Sequence, residues 1–173
     1  MNERAKQEFQ TVLRRREDIT ALTALAQIAQ GERDYEAAIV LYRRALKVEP
    51  NSVVAANNLA MLLIIQSQSP DEALTLAKAA FKQNPDSPAA ICTYGCALAE
   101  AGHADEARAV LAKAVRKSPS HSWARYSYGK LLMQAKAFDL AQDQLEGCLI
   151  LDPDFERKDE VEELLEKIDG ERR

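Results

Sequence analysis

Glycine and proline are scarce in this 173-residue chain, six of each, and aromatic residues make up only 6% of it. So few breakers argue against a linker or a disordered chain, and 47% apolar with 29% charged residues suits a folded domain. A β-sandwich would draw on more valine, threonine and aromatics. Alanine is the commonest residue here, and it favours helices and close packing. Long apolar runs are missing too. The longest, residues 59–65, falls far short of the roughly 20 residues that span a bilayer, so no membrane insertion is expected. Met1-Asn2-Glu3-Arg4-Ala5-Lys6 leads into charge rather than into the apolar core of a signal peptide. Three cysteines, an odd number, do not make a disulfide framework, which points to a cytoplasmic protein with reduced thiols.

A basic excess is also lacking. Lys and Arg number 23 against 27 Asp and Glu, a net charge of −4. Proteins that live on phosphate backbones draw most of their affinity from cations, so no nucleic-acid partner is expected. The acidity is local: residues 152–173 hold ten acids and five bases, a net −5, and the rest sums to +1. His103 and His121 accompany no nucleophile motif, and no glycine-rich phosphate loop follows a strand. Neither an enzymatic activity nor a cofactor is expected.

What the chain does have is a period. Pro50, Pro85, Pro119 and Pro153 are spaced 35, 34 and 34 residues apart, and Ala38, Ala73, Ala107 and Ala141 keep the same spacing. Two columns in register over four copies identify an internal repeat. Each copy reads as two amphipathic helices. Leu22, Leu25, Ala26 and Ala29 follow the i, i+3, i+4, i+7 rule, and Gly31 breaks the pattern. Asp34 can cap the next helix, and Tyr35, Ala38, Tyr42 and Ala45 form a second stripe. Ser69-Pro70-Asp71-Glu72 reads as a capped helix start, with the extra residue of the 35 spacing in the turn before it.

These columns resemble the tetratricopeptide repeat family, with units at residues 18–51, 52–86, 87–120 and 121–154. Leu25-Ala26, Leu59-Ala60, Tyr94-Gly95 and Tyr128-Gly129 match its large-then-small pair in the first helix. The four periodic alanines match its crossing point, and Tyr42, Leu111 and Leu145 match its large position in the second helix. Departures are Ala77 at that large position, Cys148 where alanine is usual, and Arg125 where a bulky apolar residue is usual; Gly147, inside a helix, has no account. Residues 1–17 resemble the second helix of a partial preceding unit, with Ala5, Phe9, Val12 and Leu13 on one face. Residues 155–173 resemble a polar-faced capping helix, with Gly170 just past its end. The resemblance implies a single all-α domain, a right-handed superhelical solenoid of ten helices.

It also implies a protein scaffold or adaptor whose concave groove, lined by first helices, holds a peptide or helix of a partner. Outward positions of those helices give the candidate lining: Thr23 and Gln27, then Asn57, Asn58, Met61 and Ile65, then Cys92, Thr93 and Cys96, then Trp123, Tyr126, Ser127, Lys130 and Met133. Trp123 and Tyr126 are the expected aromatic anchors, Met61 and Met133 adaptable contacts, and the two asparagines grips for a peptide backbone. The family's chaperone-tail clamp uses basic residues where this chain has Thr23, Ala89 and Thr93, with only Asn58 at the matching asparagine, so that role is not expected. Two alternatives stand beside the scaffold. The leading helix with Phe9, Val12 and Leu13 offers a face for a second copy, a homo-oligomer or a secretion-type chaperone of apolar clients. Cys92 and Cys96, four apart on one helix face, offer a weak case for a metal or redox site.

Overall fold

The computed structural model describes residues 3–171: ten α-helices and, among the described residues, no strand. They are α1 (Glu3–Leu13), α2 (Ile19–Gly31), α3 (Tyr35–Val48), α4 (Val53–Ile65), α5 (Pro70–Gln83), α6 (Pro88–Glu100), α7 (Ala104–Lys117), α8 (Ser122–Gln134), α9 (Phe138–Leu151) and α10 (Lys158–Glu171). Their contacts divide the chain into two compact units, one ending at Asn84 and the other starting at Pro85. In the first unit α2 packs on α3 and α4 on α5, with α1 against α2 and α3 against α4. In the second, α6 pairs with α7 and α8 with α9, α8 also packs on α6 and α7, and α10 rests on α8 and α9.

Within each pair the helices approach closely because one side chain at the crossing is small. Ala38, Ala73, Ala107 and Ala141 are completely buried. In the second unit the opposing residue is smaller still. A Cβ on Gly95 would lie 2.8 Å from Leu111 Cδ2, and one on Gly129 2.8 Å from Leu145 Cγ. Each leucine thus fills the space that its glycine leaves, which is why a large residue on one helix goes with a missing side chain on the other.

The turns inside the pairs share one construction. Arg33, Ser67, Gly102 and Lys136 follow the C-caps of α2, α4, α6 and α8 at φ 60°, 52°, 81° and 57°. The next residue's N–H reaches back to a carbonyl inside the helix, as from Asp34 to Ala29 O at 2.9 Å and from His103 to Leu98 O at 2.9 Å. This is the Schellman ending, which favours glycine. Only Gly102 supplies one, and Gly31, expected in the turn, is the last residue of α2 instead. The extra residue of the second turn changes its geometry. Ser69 sits at φ 43° and its side chain makes no cap hydrogen bond, so the expected serine cap of α5 is absent and Pro70 alone starts the helix. Asp18, Asp34, Ser52 and Ser87 do cap α2, α3, α4 and α6 through their side chains. At the C-terminus Gly170 lies within α10, not past it.

Two departures from the repeat pattern explain each other. The Arg125 side chain of α8 lies across Gly147 of α9, where a Cβ would stand 2.8 Å from Nη1. Arg125 Nε donates to Pro119 O at 2.7 Å and Nη1 to Gln144 Oε1 at 3.0 Å, with Gln144 buried. A half-buried guanidinium needs such acceptors, and the glycine makes room for it. Replacing Gly147 by alanine gains about 1 kcal/mol of helix propensity but pushes the guanidinium off Gln144, which costs about 1–3 kcal/mol for the stranded acceptor. We expect Gly147→Ala to leave urea stability unimproved in the wild-type chain and to raise it by about 1 kcal/mol in an Arg125→Leu background. Equal effects in both backgrounds would separate the two residues.

Candidate partner-binding surface

In the first unit the candidate positions form an accessible face on α2 and α4. Gln27 is exposed, while Thr23, Asn57, Asn58, Met61 and Ile65 are partly exposed. Thr23 Oγ1 donates to Ile19 O at 2.7 Å, so that hydroxyl serves its own helix. The asparagines form a chain: Asn57 Nδ2 donates to Asn58 Oδ1 at 3.4 Å, and Asn58 Nδ2 to the buried Tyr42 hydroxyl at 3.0 Å. Burial raises the Tyr42 phenol above its ordinary range, and the hydrogen bond from Asn58 opposes that shift. Asn57 Oδ1 is shielded from water and accepts no hydrogen bond. Such an acceptor costs stability until a donor reaches it.

In the second unit the structure corrects the expectation. Trp123 is 7% exposed, Tyr126 0%, Cys92 0%, Cys96 0%, Thr93 2% and Ser127 2%, so none of them offers an open surface. Only Lys130 and Met133 are partly exposed. Part of the cause is α10 and the turn before it. The 34-residue period carries Trp123 onto Arg157 and Tyr126 onto Glu160, so α10 stands where a fifth first helix would stand. Phe155 closes an aromatic cluster, its ring 5.1 Å from Trp123 and 5.4 Å from Tyr126, while Trp123 and Tyr126 lie 5.6 Å apart, edge to face. The Arg157 guanidinium lies 5.3 Å from the Trp123 ring centroid and 5.8 Å from that of Tyr126. Phe155, Arg157 and Glu160 were missed by sequence reasoning, although extending the period past the fourth repeat would have found the last two.

A charged network seals this cluster. Lys130 Nζ donates to Glu160 at 2.9 Å and to the Tyr126 hydroxyl at 3.4 Å, and Arg157 Nη1 to Glu160 at 3.5 Å. Burial alone would raise the Glu160 carboxyl. Hydrogen bonds from Lys130 and Tyr126, with the charges of Lys130 and Arg157, outweigh that and hold it below its usual value. Burial and the hydrogen bond to Glu160 push the Tyr126 phenol far up. Beside the network a cleft of about 290 Å³ is lined by Glu100, Ser127, Lys130, Leu131 and Gln134. The thiols are inert by placement: burial pushes Cys92 up to about 11 and Cys96 to about 12. Cys96 Sγ donates to Trp123 O and accepts from Ser127 Oγ, both at 3.5 Å. Among the described residues no three His, Cys, Asp or Glu side chains gather as a metal site.

His121 starts α8, its Nδ1 accepting from Ala124 N at 3.4 Å. Burial holds its imidazole below the ordinary 6.5. Because the folded value lies below the unfolded one, the cap contributes fully above about pH 6.5 and is lost as the pH falls through the folded value. We expect the wild-type chain to lose, between pH 7 and 5, on the order of 1 kcal/mol more urea stability than His121→Asn, which keeps an acceptor at the cap. Parallel pH profiles would remove the cap from the account. Trp123, the one tryptophan, reports its own burial. Its emission should be blue-shifted and move to the red on unfolding, and Trp123→Ala should cost about 3–5 kcal/mol in urea denaturation. A cost below about 1 kcal/mol, normal for a surface position, would place the ring outside the core.

No curated protein sequence matches the chain. Among solved structures, residues 41 to the end of MamA from Desulfovibrio magneticus RS-1 superpose with a TM-score of 0.68 at 19% identity, covering 88% of this chain and 86% of that one. TTC0263, a thermophilic repeat protein of Thermus thermophilus, superposes with a TM-score of 0.67 at 20% identity, covering 87% and 81%. These likenesses show a shared fold. The family profile described as "Tetratricopeptide repeat" matches residues 28–90, 65–116 and 98–168. Together those matches span well over half of the sequence, and the chain belongs to the tetratricopeptide repeat family.

Proposed function

We propose that this chain is a non-enzymatic scaffold or adaptor that captures a peptide or helix of a protein partner on the first-helix face of its first unit. Family membership supports protein binding in general. The observation that carries the choice of face is the partly exposed amide pair of Asn57 and Asn58, held in place by the Tyr42 hydroxyl. The backbone of an extended partner bonds the parts of these amides that stay exposed, and Met61 and Ile65 on the same helix supply apolar contact. In the second unit Lys130 and Met133 are the candidates left partly exposed, and Trp123 and Tyr126 belong to the core. Three free, buried cysteines suit a cytoplasmic location.

A second reading is self-association through α1. Its residues alternate charge with an apolar stripe at Ala5, Phe9, Val12 and Leu13, yet none of its residues is buried. The apolar stripe of α3, at Ala38, Tyr42 and Ala45, is by contrast completely buried.

The test of the first reading is a set of peptides selected on the folded chain from a displayed random library, with Kd measured by fluorescence anisotropy. Asn57→Ala and Asn58→Ala should each weaken binding by roughly tenfold, the worth of one backbone-gripping amide. Lys78→Ala, exposed on α5, should leave it unchanged. Selected peptides indifferent to both asparagines would move the site off this face.

A further inference from the structure

Two surfaces other than the first-helix face of the first unit pair apolar side chains with charges of opposite sign. Between α1, α2 and α3 lies a cleft of about 510 Å³ with an apolar floor that includes Leu13, Leu25 and Leu41. Its rim carries Lys6, Arg14 and Arg44. Lys6 is paired with Glu32 at 2.7 Å and Arg44 with Glu17 at 2.8 Å. Arg14 instead hydrogen-bonds Thr11 Oγ1 at 3.0 Å, and among the described residues neither it nor the exposed Arg15 pairs with a carboxylate. The rim also carries Glu32 and Asp34, and among the described residues Arg14 is its one guanidinium without a carboxylate partner, with Arg15 next to it in sequence.

The matching surface is on α10. Val161 and Ile168 are buried, while Leu164 and Leu165 remain partly exposed because no further helix covers them among the described residues. Glu163 and Glu166 flank these leucines on exposed positions, and among the described residues neither has a basic partner. The acidity of the chain is concentrated in this stretch, residues 152–173, while the remainder sums to +1. An apolar pair flanked by carboxylates without a basic partner suits an apolar cleft whose rim leaves Arg14 without a carboxylate and has Arg15 beside it.

We propose that copies of this chain associate head to tail, with α10 of one copy placing Leu164 and Leu165 on the α1–α3 cleft of the next. This rests on the self-association reading and assigns its partner surface. The two surfaces differ, so the contact is heterologous: each pairing leaves one cleft and one α10 unused, and association continues into open chains unless the rotation closes a ring. Exposed charges at the contact make the association weaken as salt is added.

Sedimentation velocity of the full chain tests this, across protein concentration and at low and high salt. The head variant is Arg14→Glu with Arg15→Glu, and the tail variant is Glu163→Arg with Glu166→Arg. All four positions are exposed, and circular dichroism checks that both variants fold. The wild type should grow in mass with concentration at low salt, and each variant alone should associate at least roughly tenfold more weakly. An equal mixture of the two should associate again, because the intact α10 of the head variant meets the intact cleft of the tail variant. A wild type that stays monomeric overturns both this proposal and self-association itself. A tail variant that associates normally while the head variant does not overturns the α10 assignment and leaves α1 pairing with another surface, such as α1 of a second copy. Association retained by both variants, or no recovery in the mixture, also overturns the proposal.

Discussion

The helix crossings govern everything else in the molecule. At each of them a buried alanine, Ala38, Ala73, Ala107 or Ala141, lets two backbones approach. In the second unit Leu111 and Leu145 fill the gaps left by Gly95 and Gly129. Close-packed interiors respond to a single methylene, so these positions tolerate little change in volume. Because the crossing repeats every 34 or 35 residues, each pair repeats the same geometry. Positions three and four residues apart on the first helices then come to share one face. The accessible first-helix face is a by-product of that packing rule.

The same rule determines how the second unit ends. A first helix needs a neighbour on its far side, and α10 supplies one for α8. That helix and the turn before it bring Phe155, Arg157 and Glu160 against α8, and these turn Trp123 and Tyr126 from prospective anchors into core. Aromatic rings with a cation stacked over them and their polar ends bonded to charged groups lose little by burial. The network of Lys130, Glu160, Arg157 and Tyr126 thus closes the repeat stack with charge rather than with a further apolar layer.

Arg125 and Gly147 show how a local exception is accommodated. A guanidinium at a position built for a bulky apolar side chain must find acceptors, and it finds Pro119 O and Gln144 across a glycine with no Cβ to obstruct it. The second turn shows the opposite case. One added residue puts Ser69 in a second left-handed conformation, beyond the one at Ser67 that all four turns share, and removes a side-chain cap, with Pro70 alone starting α5. Both exceptions lie in single positions, and the alanine crossing beside each is unaffected.

The periodic prolines and alanines were enough to show four copies of a repeat, and with the helical stripes to carry the family resemblance that implied ten helices, because a repeat that must bury one stripe against its copies shows that stripe at a fixed spacing. The accessible face of the first unit was legible for the same reason: Gln27, Asn57, Asn58, Met61 and Ile65 lie off the buried stripes of their helices. Tertiary structure alone decided the rest. An outward position on α8 is outward only until another helix covers it, and whether residues 155–160 would do so depends on packing between elements, which periodicity within one helix does not report. Nor could spacing show that Arg125 and Gly147, 22 positions apart, answer each other, that Asn58 is bonded to Tyr42, or that Asn57 keeps an acceptor without a donor. Hydrogen bonds and burial belong to pairs of residues, whereas the sequence pattern speaks for one helix at a time.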